Sequence, residues 1–87
     1  RLGGEEFLVI CPDVQAESVF RYAERLRQSV AKLEINDPVS GKTFKLTISI
    51  GAASKSPAIT TPEMLLQLAD KRLYAAKERG RNCTVAE

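Results

Sequence analysis

The sequence predicts an α/β sandwich, in which a small sheet packs against helices in the order strand, helix, strand, helix, short strand. Two kinds of periodicity predict this class. In two long segments apolar residues recur every three or four positions, as on one face of a helix. Residues 46–53 instead alternate large apolar with small residues, as in a strand. Because the helices connect strands, we expect right-handed crossovers.

The first half of the chain is predicted to form a turn, a strand and a helix. Gly3 and Gly4 suit a turn because both tolerate positive φ. The continuous apolar run at 7–11, stopped by a proline, is typical of a strand buried on both faces. Asp13 is the predicted N-cap of the helix, with Glu17 in its first turn. The apolar stripe of this helix consists of Ala16, Val19, Phe20, Ala23, Leu26, Val30 and Leu33.

The middle of the chain is predicted to form a loop or small hairpin, followed by a strand. Turn-forming residues lie at 36–38 and 40–42. Residues 46–53 then alternate, and one face of this strand is large and apolar while the other is small and polar. The small face suits solvent, or a ligand or backbone that packs closely against it.

The last third is predicted to form a helix and a short final strand. Thr61, Pro62 and Glu63 are typical of a helix start, with a capping hydroxyl, a proline in the first helical position and an acid in the first turn. Gly80 is typical of a helix end, and residues 82–85 can form one short strand. The apolar stripe of this helix consists of Leu65, Leu68, Ala69, Leu73 and Ala76.

Composition excludes several classes of function. The chain has 87 residues, which make one small domain or a piece of a larger one, and no apolar run approaches the about 20 residues of a membrane span. A net charge of +2 is too small to indicate a nucleic-acid groove. With no histidine, catalysis should depend on carboxylates, Lys and Arg. Cys11 and Cys83 are far apart and are predicted to be reduced, buried thiols.

Three stretches together resemble one known family. The first is the sequence RLGGEEF at 1–7, the second is TISIGA at 47–52, and the third runs from AD at 69–70 through LYAAK at 73–77 to GRN at 80–82. They resemble, in order, the signature, the T-x-S-x-G strand and the A-D-x-x-L-Y-x-A-K-x-x-G-R-N helix end of GGDEF-family diguanylate cyclase domains. The resemblance spans the whole chain.

The resemblance implies a fold, a reaction and an ion. The core of this family is related to the ferredoxin-like, nucleotide-cyclase palm fold. In a diguanylate cyclase the 3′-hydroxyl of one GTP attacks the α-phosphate of another, pyrophosphate leaves, and two such steps give cyclic di-GMP in a homodimer. The implied ion is Mg²⁺, with Mn²⁺ as an alternative, because carboxylate oxygens suit a hard cation. The implied location is the cytoplasm, with no nucleic-acid partner and no membrane contact within this segment.

The resemblance also assigns roles to the signature residues. Glu5 resembles the carboxylate that binds the metal and supports activation of the 3′-hydroxyl, and Glu6 resembles a second acidic group at the metal. Gly3 and Gly4 resemble the hairpin turn that lets the nucleotide approach the backbone, where a Cβ would clash.

At the far end of the chain, Lys77 and Arg81 resemble the family's cationic pair on the triphosphate. Taken without the resemblance, simpler interpretations hold. Glu5 and Glu6 could be a solvated acidic pair, and the cations could complement a helix C-terminus, worth roughly 0.3–1 kcal/mol each. Asp70 is predicted to be structural or on the surface, and Tyr74 to pack in the fold.

The family resemblance covers only the second half of the domain. We therefore expect residues 1–87 to be the C-terminal portion of a single GGDEF domain, whose first half would supply another metal-binding Asp, a phosphate loop and guanine contacts. We expect the 87-residue chain alone to lack cyclase activity, and its strands to leave unpaired edges and exposed apolar faces. The alternative function is a catalytically silent module that binds GTP or cyclic di-GMP as a regulatory sensor.

Overall fold

The computed structural model describes residue 9 and residues 15–87. Within these residues the elements are α1 (Ala16–Lys32), β1 (Ile35–Asn36), β2 (Thr43–Phe44), β3 (Ile50–Gly51), α2 (Pro62–Glu78) and β4 (Thr84–Val85). The predicted turn at Gly3 and Gly4 lies outside the described residues. So does the predicted strand at 7–11, apart from the exposed Val9. Neither 17-residue helix has the length and apolar composition that crossing a membrane requires.

Helix α1 begins later than its sequence predicts. Gln15 precedes the first helical residue in an extended conformation, and its side chain makes no capping hydrogen bond. The prediction of Asp13 as N-cap is therefore wrong, whereas Glu17 does lie in the first turn. A capping side chain is only one contribution to a helix start, so a good capping residue does not by itself decide where the helix begins. The stripe is only partly covered, since Phe20 is 50% exposed.

Residues 35–44 form the small hairpin that the turn signals allowed. Ile35 pairs with Phe44 in antiparallel register, and the backbone of Asp37 accepts from Gly41 at 2.8 Å. The Asp37 carboxylate accepts from the Val39 amide at 2.9 Å and from a serine hydroxyl, and these bonds lower the pKa of Asp37. Gly41 takes a φ of +73°, which a side chain would disfavour.

The predicted strand at 46–53 is reduced to β3, which pairs in parallel with β4. The Ile50 amide donates to the Cys83 carbonyl and the Ala52 amide to the Val85 carbonyl, each at 2.9 Å. Because β4 is only two residues long, residues 46–49 have no ladder partner in the described residues, so the regular strand is short. The predicted final strand at 82–85 is confirmed, but begins two residues later.

Helix α2 begins and ends as predicted. The Thr61 hydroxyl accepts from the Met64 amide at 3.1 Å, and Pro62 occupies the first turn. At the other end, Gly80 has a φ of +106° and its amide donates to Lys77 O at 3.3 Å, while the Arg81 amide donates to Ala76 O at 3.1 Å. This pair of bonds is a Schellman motif, which satisfies the last carbonyls of the helix.

The core lies where α2 packs on β3 and β4. Helix α1 also contacts β4. Among the described residues, Ala76 and Val85 are the buried apolar side chains. Larger apolar side chains remain exposed to solvent, including Leu46 at 49% exposure, as expected for the apolar face of the strand predicted at 46–53. The predicted burial of Cys83 is wrong: this free thiol is half-buried and donates to Ala76 O at 3.3 Å.

Candidate functional site

The structure describes one side of the predicted site. Gly3, Gly4, Glu5 and Glu6 lie outside the described residues, so their predicted roles stay predictions. The predicted phosphate-binding cations are described, at and beyond the end of α2. In residue 9 and residues 15–87, no group of three or more acidic or cysteine side chains could hold a metal ion.

Lys77 and Arg81 are placed by the way α2 ends. Lys77 lies in the last helical turn and is half-buried. After the Schellman motif at Gly80 the chain leaves the helix axis, and Arg81 is exposed with a φ of +63°. The two cations therefore belong to two different local structures, one a helix and the other a turn. A helix C-terminus carries partial negative charge, so these cations offset a field that would otherwise repel phosphate.

The turn after Gly80 has an unusual backbone. Both Arg81 and Asn82 have positive φ, at +63° and +48°. The left-handed region costs a residue with a side chain about 1–2 kcal/mol, although Asn tolerates it better than Arg. Two consecutive residues of this kind require hydrogen bonds that favour the turn over a relaxed conformation.

Hydrogen bonds from two other elements hold Asn82. Its amide donates to the Ser49 Oγ at 3.1 Å, just before β3. The Arg27 guanidinium on α1 donates through Nη1 to Asn82 Oδ1 at 2.8 Å and to the Asn82 carbonyl at 3.4 Å. The residue after Arg81 is thus bonded through its backbone and its side chain to two segments distant in sequence.

Glu24 orients the Arg27 guanidinium. Arg27 Nε and Nη2 donate to the two Glu24 carboxylate oxygens at 2.8 Å each, which is the two-pronged geometry of a strong Arg–carboxylate pair. This bonding lowers the pKa of Glu24 from 4.5 to about 2, so Glu24 is ionised at neutral pH. The Thr84 hydroxyl also lowers the pKa of Glu24, although its oxygen makes no hydrogen bond of good geometry within residue 9 and residues 15–87.

Ser49 and Gly51 explain the small face predicted for the strand. Residues two apart in an extended segment point to the same side. A Cβ built on Gly51 would overlap the backbone nitrogen of Leu73 and the carbonyl oxygen of Ala69, and would lie 2.7 Å from the Leu73 Cα. Of the three predicted neighbours, solvent, ligand or backbone, the structure shows backbone at Gly51: the small face lets α2 and the turn after it approach the strand.

Two other predictions for α2 have different outcomes. Asp70 is exposed, as predicted for a surface residue. Tyr74 is 66% exposed, so the prediction that it packs in the fold is wrong. It lies on the outer side of a helix whose inner side meets the sheet, and helical spacing alone did not distinguish these sides.

Sequence reasoning missed the role of Arg27. It is one of several cations on the polar side of α1, and its partner Asn82 lies 55 residues further along the chain. The one local signal is Glu24, three residues before it on the same helix, because this spacing favours an ion pair. Nothing local indicates the contact with Asn82.

Comparison with known proteins identifies the family. The sequence model described as "Diguanylate cyclase, GGDEF domain" matches residues 1–83. The chain belongs to the GGDEF family. Curated relatives of this GGDEF chain include the probable diguanylate cyclase DgcT of Escherichia coli K12, 42% identical over 98% of the chain, and the response regulator PleD of Caulobacter vibrioides, 40% identical over the whole chain. The chain spans 19% of the length of each of these relatives.

A solved structure confirms the fold class. The GGDEF domain of DgcB from Caulobacter crescentus, crystallised in complex with c-di-GMP, is 32% identical in sequence and superposes with a TM-score of 0.89. The match covers 99% of this GGDEF chain and 49% of the solved chain. The α/β class and its relation to the nucleotide-cyclase palm fold, both predicted from the sequence, are therefore confirmed.

Proposed function

We propose that this chain is part of an active diguanylate cyclase, which joins two GTP molecules into cyclic di-GMP with release of pyrophosphate. The observation that carries the proposal is the arrangement at the end of α2. Lys77 in the last helical turn and Arg81 in the following left-handed turn are both present, and the backbone that carries Arg81 is held by hydrogen bonds to Asn82. A silent module that binds GTP could keep the same two cations, so the choice of turnover also rests on the signature carboxylates Glu5 and Glu6, which suit a metal-assisted reaction.

We also propose that residues 1–87 are the C-terminal portion of a single GGDEF domain. The support is coverage, because nearly the whole chain matches about half of a solved GGDEF chain. In this proposal the missing half supplies a further metal-binding Asp, and the complete protein acts as a homodimer in the cytoplasm, where GTP is available. The 87-residue chain alone would then have no measurable turnover.

The residues present suit a divalent metal. Glu5 and Glu6 supply hard carboxylate oxygens, which Mg²⁺ or Mn²⁺ accepts, and they are the residues that would hold it. When bound, such an ion neutralises phosphate charge and makes the attacking 3′-hydroxyl more acidic. The protein's own cations act at the other end of the nucleotide: Arg81 can grip phosphate oxygens with a two-pronged guanidinium, and Lys77 adds a point charge.

The test is a GTP assay with Mg²⁺ on the full-length protein that contains this segment, with cyclic di-GMP and pyrophosphate both quantified. We expect turnover by the wild type and none by Glu5→Ala. Arg81→Met and Lys77→Met should each lower kcat/KM about tenfold to a hundredfold, the range for losing one charged hydrogen bond. Lys71→Met is the matched control, since Lys71 is exposed on the same helix.

The outcomes separate the two candidate functions. Turnover that depends on Glu5 supports the cyclase. A full-length protein that binds GTP or cyclic di-GMP and forms no product would refute the cyclase and support the regulatory sensor. A loss in Lys71→Met as large as in Arg81→Met would show that general positive charge, not the turn at Arg81, governs the reaction.

A further inference from the structure

We infer that Arg27 is a positioning residue for GTP binding, which acts through Asn82 to hold Arg81 in its left-handed turn. The inference rests on the proposed function, because it assumes that Arg81 contacts the triphosphate. It assigns a role to a side chain on α1, which belongs to none of the three stretches that identify the family. Arg27 itself would not contact the nucleotide.

The first step is that Arg81 cannot fix its own position. It is exposed, and its backbone has a φ of +63°. Unlike Asn or Asp, an arginine has no short polar side chain that could stabilise this conformation by a local hydrogen bond. The Schellman bond from its amide to Ala76 O orients the backbone on the N-terminal side. On the C-terminal side, Arg81 depends on what holds the next residue.

The second step is that Asn82 is held from two sides. Ser49 accepts from its amide at 3.1 Å, which ties the turn to the sheet, and Arg27 donates to its side-chain oxygen at 2.8 Å, which ties it to α1. The amide bond fixes the direction of the peptide between Arg81 and Asn82. The side-chain hydrogen bond fixes the Asn82 rotamer. Together the two hydrogen bonds keep the turn from rotating, because a rotation that preserves one of them breaks the other.

The third step is that Arg27 is itself oriented. Its Nε and Nη2 are occupied by Glu24, which leaves Nη1 to donate to Asn82. The Glu24 pair therefore aims the guanidinium at the turn. A lysine at this position could make one of these contacts, but could not join Glu24 and Asn82 in the same fixed geometry.

The experiment is a double-mutant cycle on the full-length protein, with Arg27→Met, Arg81→Met and both together. The readouts are kcat/KM for GTP with Mg²⁺, GTP affinity by calorimetry, and hydrogen exchange of residues 79–84. We expect Arg27→Met to lower kcat/KM and GTP affinity about fivefold to tenfold and to speed exchange in this turn. In the Arg81→Met background, Arg27→Met should lower neither kcat/KM nor GTP affinity further, because the guanidinium that Arg27 positions is gone.

Two further variants keep the test informative. Arg27→Lys retains the charge, so the variant should fold. Its kcat/KM and GTP affinity should nevertheless fall nearly as far as those of Arg27→Met. Lys32→Met is the control, since Lys32 is exposed on the same helix and should leave GTP affinity unchanged.

Losses from Arg27→Met and Arg81→Met that simply add would overturn the inference, as would full GTP affinity in Arg27→Lys or unchanged exchange in the turn. If instead Arg81→Met binds GTP normally, the role of Arg81 in the proposed function fails. Absence of turnover in the wild type would refute the proposed activity alone, because calorimetry and exchange still decide whether Arg27 positions Arg81.

Discussion

Replacing Gly51 by Ala tests how closely α2 packs on β3. The added methyl group would overlap the Leu73 nitrogen and the Ala69 carbonyl oxygen, with the Leu73 Cα 2.7 Å away. All three are backbone atoms of the helix, so no flexible side chain can rotate aside. Either α2 must move away from the strand or β3 must leave its pairing with β4.

The magnitude follows from which atoms are displaced. Overpacking by one methylene or methyl group in a well-packed core typically costs 1–3 kcal/mol, and rigid neighbours place this case at the upper end or above it. We therefore expect Gly51→Ala to lose about 3 kcal/mol or more. The buried residues Ala76 on α2 and Val85 on β4 lie on the two elements that contact β3, and they should become accessible.

The assay is urea unfolding followed by far-UV circular dichroism on the complete GGDEF domain that contains this chain, comparing the wild type with Gly51→Ala. Gly41→Ala is the matched control, because its new Cβ would meet nothing within 4 Å and its backbone has a φ of +73°. That control has the left-handed backbone penalty of about 1–2 kcal/mol but no steric overlap, whereas Gly51 has no positive φ and would lose stability through the overlap. If Gly51→Ala is no less stable than Gly41→Ala, the close approach of α2 to β3 is not what requires glycine, and the reasoning is refuted.

Two further predictions concern single side chains. Thr61→Ala should lower the free energy of unfolding by about 1 kcal/mol, because the Met64 amide loses its capping oxygen. Thr61→Ser keeps a hydroxyl and should retain most of the wild-type stability. Equal stability of the Ala and Ser variants would exclude a capping role. Glu24 has its pKa lowered from 4.5 to about 2 by the bond with Arg27, so its stabilising effect is complete above about pH 4.5 and is lost as pH falls towards 2. Urea titrations across this window should show Glu24→Gln to be less stable than wild type near neutrality, with the difference shrinking in acid, and a constant difference would contradict the pKa shift.

The sequence predicts α2 well because its signals are local. Thr61, Pro62 and Gly80 act on neighbouring backbone groups, so their residue types suffice to predict both helix ends. The start of α1 is predicted wrongly for the opposite reason, since Asp13 is a good capping residue but the helix begins after Gln15, which caps nothing. Propensity ranks candidate caps without deciding which one the packed helix uses.

Strand length and the role of Arg27 could not be predicted, because both depend on partners distant in the chain. Residues 46–53 alternate as a strand should, yet among the described residues regular pairing covers Ile50–Gly51 alone, opposite Thr84–Val85. Lys77 and Arg81 could be chosen only through the family resemblance. The bond that joins Arg27 to Asn82 spans 55 residues and has no periodicity that reveals it.

Two of the family's three stretches, those at 47–52 and 69–82, meet at the turn after α2, and this explains residue types that phosphate chemistry alone does not require. Gly51 allows the helix backbone to approach the strand, which brings the following turn within reach of Ser49. Asn82 suits this turn for two reasons: it tolerates a φ of +48°, and its side chain accepts from Arg27. In the proposed function Arg81 faces the triphosphate together with Lys77, so the neighbours of Arg81 can be understood as the structure that positions this cation.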